Sequence, residues 1–279
     1  MRLSFQATLT GVVFVAGVGT LATEIAASRL LAPYFGNSTI VWANVIGLTL
    51  ASLSVGYWLG GRLADRYPTP RALGLIVAAA ACLVAVATLL ARPILDFSVE
   101  GLDRVSAGAA IGSFFGVLIL FVPPVTLMGM VAPFAIRLAI QDVESAGTVS
   151  GRLYAVSTIG SLLGTFIAAL VAIPAIGTQR TLLAAAALIG TSGAVLLGRR
   201  WTLLAAGLAA LLLIPPGAVK GQSGVIFEDE SRYQFIQVVE EEGVRRLYLD
   251  EGLATHSVWR EDDVLTGGVW DTYVAVVDL

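Results

Sequence analysis

Long apolar runs, separated by short polar punctuation, fill most of the chain, whereas the last sixty or so residues alternate apolar and polar positions. The apolar runs lie at roughly 9–31, 39–63, 72–91, 106–130, 152–173 and 180–198. A helix crossing ~30 Å of hydrocarbon needs about 20 such residues, so each run predicts a membrane span. A seventh run, 201–214, stops before Pro215. Its 14 residues make about 21 Å of helix, which spans poorly without help. Pro123-Pro124 falls inside the fourth run. Proline lacks the amide hydrogen and its ring crowds the preceding turn, so that span is expected to kink or break. Further spans follow the first run and no convincing small-residue cleavage site precedes a soluble chain, so the first run reads as a span and not as a signal peptide.

Period-two alternation takes over after Pro215-Pro216-Gly217. "GVIF", "RYQFIQVVE", "RRLYLD" and "ATHSVW" read as strands of a β-meander, with Gly243 in the turn after "EE", and "DTYVAVVDL" as the start of a helix. A domain this small buries too little apolar surface to be stable alone. The fold expected is therefore mostly α: a polytopic membrane helix bundle of six to seven spans over residues 1–217, followed by a small β-meander over 218–279.

Charge sharpens that boundary. The chain is 13% charged and 57% hydrophobic, against about 25% charged in soluble domains. Residues 1–219 carry 12 basic and 7 acidic side chains, and residues 220–279 carry 5 and 13. An acidic tail argues against nucleic acid as a partner, because phosphate contacts require Lys and Arg. One cysteine, Cys82, and one histidine, His256, exclude a disulfide framework or a multi-His metal site within the chain. The arginines favour a cytoplasmic amino terminus. The inner loops then carry Arg2, Arg62, Arg66, Arg71, Arg137, Arg152, Arg199 and Arg200, and the outer side Arg92, Arg104 and Arg180, with Arg29 near the outer edge. Whether 201–214 crosses decides the side on which the tail lies.

Small residues recur every fourth position: Ser52, Gly56, Gly60 and Ala64; Gly108, Gly112 and Gly116; Gly160, Gly164 and Ala168. Such stripes let helix backbones approach closely in lipid, within one bundle or between two copies. Polar groups inside the spans stand out against this background. Glu24 and Arg29 lie five positions apart, about 140° around a helix, so they do not share a face, whereas Glu24 and Ser28 do. Arg29 is near enough to the edge to snorkel to water. Glu24 is about a turn deeper, where a carboxylate is costly, and it calls for a partner on another helix: Asn44, Asn37 or an outer-loop Arg. Glu24, Arg29 and Asn44 form a candidate polar site, either as structural glue or as a cation or polyamine contact.

Two motifs carry resemblance to known families. Gly61-Arg62-Leu63-Ala64-Asp65-Arg66, followed by Arg71, resembles the loop between the second and third helices of major facilitator transporters. Pro68 stands where that pattern usually has Gly, and six spans fit half of such a transporter. Gly61, Asp65 and Arg66 then serve as a topology-fixing loop or as part of a transport gate. In the tail, the S-x-Y-Q-x-I-x-V run at Ser231–Val238, the L-D-E-G turn at Leu249–Gly252 and the later V-L-T-G-G-x-W-D stretch resemble the amino-terminal β-domain of spermidine synthases. "ATEIAASRLLAPYFGNS", Val122-Pro123-Pro124, Leu127-Met128-Gly129-Met130 and "GRLYAVSTIGSLLGT" resemble the membrane portion of the fused transporter/spermidine synthase subgroup.

That resemblance implies transfer of an aminopropyl group from decarboxylated S-adenosylmethionine, a substrate and not a cofactor, to putrescine, with no metal. It places Gln234, Asp250, Trp270 and Asp271 at substrate-binding positions, reads Tyr233 as core and implies a bacterial cytoplasmic membrane location. Family members bind the nucleotide on a Rossmann-like domain downstream of the β-domain, with a Gly-rich loop after its first strand. No such loop follows Gly267-Gly268 up to Leu279, so this polypeptide is not expected to catalyse the reaction alone. The partners expected are the lipid bilayer, a second copy of the chain, or a separate Rossmann-domain chain. Besides the synthase-like reading stand two others: a half-facilitator transporter or channel for polyamines or cations, and a non-catalytic membrane scaffold.

Overall fold

A computed structural model of the chain describes residues 2–102, 108–215, 217, 219–221, 223–231, 233–250, 252, 254–261, 263–269 and 271–272. Helices α1 (Arg2–Phe35), α2 (Thr39–Arg66) and α3 (Pro70–Leu102) form the first three passes. Ser38 starts α2 as an N-cap, its hydroxyl accepting the Val41 amide. The fourth pass is assembled from three short helices, α4 (Gly108–Leu120), α5 (Val122–Gly129) and α6 (Val131–Ala139). The first break falls where Pro123-Pro124 cannot donate back into the preceding turn, so the expected interruption is present and the pass runs on to Ala139.

Helix α7 (Ala146–Ile167) continues through a π-helical turn (Ala168–Ala172) into α8 (Ile173–Leu197). Gly177, at φ 79° and ψ 165°, breaks α8 and reverses the chain. That backbone conformation is open to glycine and strained for other residues. Apolar, membrane-length helix therefore comprises Ala146–Ile176 and Thr178–Leu197, two of six such stretches among the described residues.

Backbone contact organises the helices. Gly160 and Gly164 lie against the carbonyls of Phe14 and Val18, so α7 runs alongside α1 in the same direction. Gly56 meets Thr126 and Gly129, and Gly60 meets Met130, joining α2 to the broken fourth pass. Gly193 packs on Ala78, and Gly74 on Leu196 and Leu197, joining α3 and α8 in antiparallel. Gly112 lies against the Phe35 ring and Gly116 against the Leu31 and Leu95 side chains, so members of all three stripes of small residues are used inside one bundle.

The chain finally leaves the Arg199–Arg200 corner as α9 (Thr202–Ala210), with Leu208 against Gly190, and a 3-10 turn at Leu211–Leu213. This run is short, about 18 Å of helix, but backbone turning extended at Ile214 carries it further. It reaches the end of the bundle formed by Phe35 and Gly177, where Val219 accepts a hydrogen bond from the Tyr34 hydroxyl. The seventh run therefore traverses the bundle, and the tail sits at the end opposite the amino terminus.

The tail is a four-stranded antiparallel sheet in the order β1 (Val225–Glu230), β2 (Phe235–Glu241), β3 (Val244–Leu249), β4 (Thr255–Arg260). The β2–β3 hairpin closes on Glu242 and Gly243, both with positive φ, as a two-residue turn demands. Phe235, Gln237 and Val239 of β2 are buried and alternate with half-buried neighbours. Register places Glu230 opposite Phe235 and Glu228 opposite Gln237, so both carboxylates share the inward face. On the other face Phe227 and Trp259 are about half exposed, and Arg245 bridges Glu240 at 2.6 Å while lying over the Trp259 ring. "GVIF" extends through Glu230, a longer strand than its apolar letters suggest. The helix expected over "DTYVAVVDL" lies outside the described residues beyond Thr272.

Candidate functional site

Resemblance-bearing stretches of the bundle and of the tail meet at one place. Arg29, two turns before the end of α1, donates from Nη1 to the Tyr233 carbonyl and from Nη2 to the Ser231 carbonyl, both at 2.7 Å. The guanidinium has a planar fork of donors, suited to spanning two acceptors. Its snorkelling stem thus ends on the sheet and not in water. The Ser231 hydroxyl accepts the Tyr233 and Gln234 amides and donates to the Gln234 carbonyl, which holds those acceptors in a tight loop. Asn37, just beyond α1, donates to Asp250 Oδ2 at 2.9 Å, and Asp250 Oδ1 accepts the Phe235 amide. Asp250 has φ 48°, a conformation in which Asp and Asn are favoured over bulkier residues.

Gln234 lines a small space with Arg29, Ala32, Thr178, Glu230 and Phe235. Two of the tail positions singled out from sequence, Gln234 and Asp250, are therefore brought to the bundle. Asp271 is elsewhere: its carboxylate accepts the Thr266 amide and hydroxyl and the Gly267 amide, and these bonds hold its pKa low. It closes its own loop. Trp270 lies outside the described residues. Tyr233, expected in the core, is 83% exposed, because the Ser231 loop turns it outward and engages the bundle through its carbonyl.

The membrane polar site does not assemble. Asn44 donates to the Ala110 carbonyl and the Ser113 hydroxyl on α4, both at 2.8 Å. Asn37 and Arg29 face the sheet, and Glu24 has no hydrogen-bond or ion-pair partner among the described residues. One turn below Glu24, a cleft of about 180 Å3 is lined by Thr20, Tyr57, Tyr154, Ser157, Thr158 and Ser161, among others. At the opposite end, Asp65 pairs with Arg137 of α6 at 3.0 Å, with both side chains well exposed. Gly61 has open space around it, and Arg66 stacks over Tyr67.

Sequence reasoning missed the inward carboxylates of β1. Glu230 accepts the amide of Thr178, the first residue after the Gly177 break. Glu228 Oε1 accepts the Val219 amide at 2.6 Å. Burial pushes both carboxyls above their ordinary value, against a partial opposing pull from those amides. Beside them a cavity of about 410 Å3 lies between β1 and the Ile173–Arg180 segment. The available signal was the spacing: Glu228 and Glu230, two apart in a strand, must share one face. Among the described residues no cluster of His, Cys, Asp and Glu is suited to a metal. The geometry suits docking of one module on another. No family model, curated protein or solved structure matches the chain.

Proposed function

We propose that the chain is a membrane-anchored, spermidine-synthase-like platform: the bundle sits in a bacterial cytoplasmic membrane and holds the β-sheet at one end for a nucleotide-binding domain that the described residues do not contain. One observation carries this reading. The motifs that resemble the fused transporter/synthase subgroup in the bundle and in the tail bond to each other, through Arg29 to Ser231 and Tyr233 and through Asn37 to Asp250. The resemblance thus falls on residues that seat one part on the other.

The aminopropyltransferase activity of the complete family belongs, on this reading, to a Rossmann-like domain supplied by further sequence or by a separate chain. Gln234 and Asp250 would shape the near side of its substrate site. Arginine placement supports the scaffold role. Arg62, Arg66, Arg71, Arg137, Arg152, Arg199 and Arg200 gather at the end away from the sheet, and cytoplasmic ends are rich in Arg. The sheet would then face outward, and a nucleotide-binding domain seated on it would take its substrate from that side.

Calorimetric titration of the purified chain in lipid nanodiscs with methylthioadenosine and with decarboxylated S-adenosylmethionine tests the proposal. The expected result is no saturable binding and no spermidine formation. Saturable binding with turnover by this chain alone would replace the platform by an enzyme.

A further inference from the structure

Glu228 and Glu230 bring two carboxylates to a contact that offers them little compensation. No arginine among the described residues comes within ion-pair distance of either one. The cations nearby are otherwise engaged: Arg29 donates to the Ser231 and Tyr233 carbonyls, and Arg92 pairs with Asp96 at 3.6 Å while packing on Gly221. Arg180 lines the adjoining cavity, its Nε buried without a hydrogen bond. Each carboxylate is met by a single backbone amide, from Thr178 or Val219. Glu228 Oε2 is buried without a hydrogen bond, and the pull of Arg92 on Glu228 and of Arg29 on Glu230 does not offset the burial. A carboxylate so placed is costly, and protonation removes that cost.

We propose that the seat of the sheet on the bundle is a proton-operated latch, tight when Glu228 and Glu230 are neutral and loosened when they ionise. The groups facing them are Arg29 and Tyr34 from α1, Arg92 and Asp96 from α3, Arg180 from α8, Lys220 in the connecting segment and Asp229 beside them on β1. The positive end of the helix that starts at Thr178 favours charge on Glu230. Burial outweighs it, because both carboxyls lie above the ordinary 4.5. The sign follows from linkage. A group whose docked-state value is raised imposes no penalty below its free value, and the full penalty above its docked value. Docking therefore weakens as pH rises from about 4.5 through the docked values, and acid tightens it. The cavity between β1 and the Gly177 break gives water a route to both groups.

The latch stands independently of the enzyme resemblance, and it is tested on the full chain in nanodiscs with Cys82→Ala as background. Spin labels at Phe97 and Val264, 76% and 81% exposed, report the bundle-to-sheet distance. The expected distribution is narrow at pH 5 and broad at pH 8, with the displaced fraction rising roughly threefold or more. Glu228→Gln with Glu230→Gln keeps it narrow at both pH values. Should the double variant lose its helical circular dichroism, each single Gln variant must reduce the pH response. A distribution that is unchanged between pH 5 and pH 8, or a pH response undiminished in the Gln variants, overturns the proposal.

Discussion

Inside the bundle, helices meet backbone to backbone; between bundle and sheet, side chains reach across to carbonyls and amides. Gly160 rests on the Phe14 carbonyl and Gly164 on that of Val18, so closely that a methyl group has no room. The sheet is seated by Arg29, Asn37 and Glu230, each through one or two hydrogen bonds, while Tyr34 and Glu228 hold Val219 of the connecting segment from either side. The first kind of contact has no graded version, because a displaced backbone cannot be exchanged for water within lipid. The second is built from separable parts, and water can replace each of them at the bundle end. The difference teaches where adjustability resides: the bundle holds one shape, and the sheet's seat is open to loosening.

The largest effect should come from spoiling a backbone contact. Gly160→Leu forces α1 and α7 apart along their shared length, since the added carbons meet the Phe14 carbonyl and the Val18 amide. Overpacking of this kind costs on the order of 3 kcal/mol or more. The measurement is thermal unfolding in detergent, followed by helical circular dichroism, and a large fall in midpoint is expected. An unchanged midpoint would mean that the helices are free to separate, and the contrast with the sheet would collapse.

Next comes the seat. Arg29→Ala removes two hydrogen bonds from a charged donor, each worth about 1.5–3 kcal/mol when well made. Because the freed Ser231 and Tyr233 carbonyls regain water, the net loss of docking should be about 2 kcal/mol. Amide exchange should quicken across Phe235–Glu241 and leave α1, α3 and α8 protected. Equal loosening of helices and sheet would show that the two regions form one cooperative unit.

Much of the bundle was legible because apolar length marks a helix long enough to cross lipid. The six membrane-length helices, the break at Pro123-Pro124 and the Gly243 turn each follow from a local constraint. The seventh run was ambiguous, since 14 residues are short by themselves, and its path along the bundle depends on Leu208 finding Gly190 and on the extended conformation of Ile214. The site was less legible. Helical geometry separated Glu24 from Arg29, but a period along one helix does not identify what lies beyond its end, and Arg29 reaches a loop some 200 positions later. Asn44 looked like a partner for Glu24 by depth, yet its amide is taken by Ala110 and Ser113. Tyr233 looked like core by type, and the Ser231 loop turns it out.

The smallest effect is expected at the far end, where Asp65 and Arg137 pair across α2 and α6. The geometry is close, at 3.0 Å, but the side chains are 74% and 50% exposed. Exposed pairs of this sort contribute about 0.2–1 kcal/mol and are screened by salt. Asp65→Asn should lower the unfolding midpoint slightly at low ionic strength and hardly at all at high salt. That outcome would identify the Asp65–Arg66 loop as an anchor for topology, held by the neighbouring Gly60–Met130 contact and not by its charges. A loss matching that of Arg29→Ala, persisting in high salt, would instead place a second side-chain latch at the basic end. The division between a backbone-locked bundle and a side-chain-seated sheet would then need redrawing.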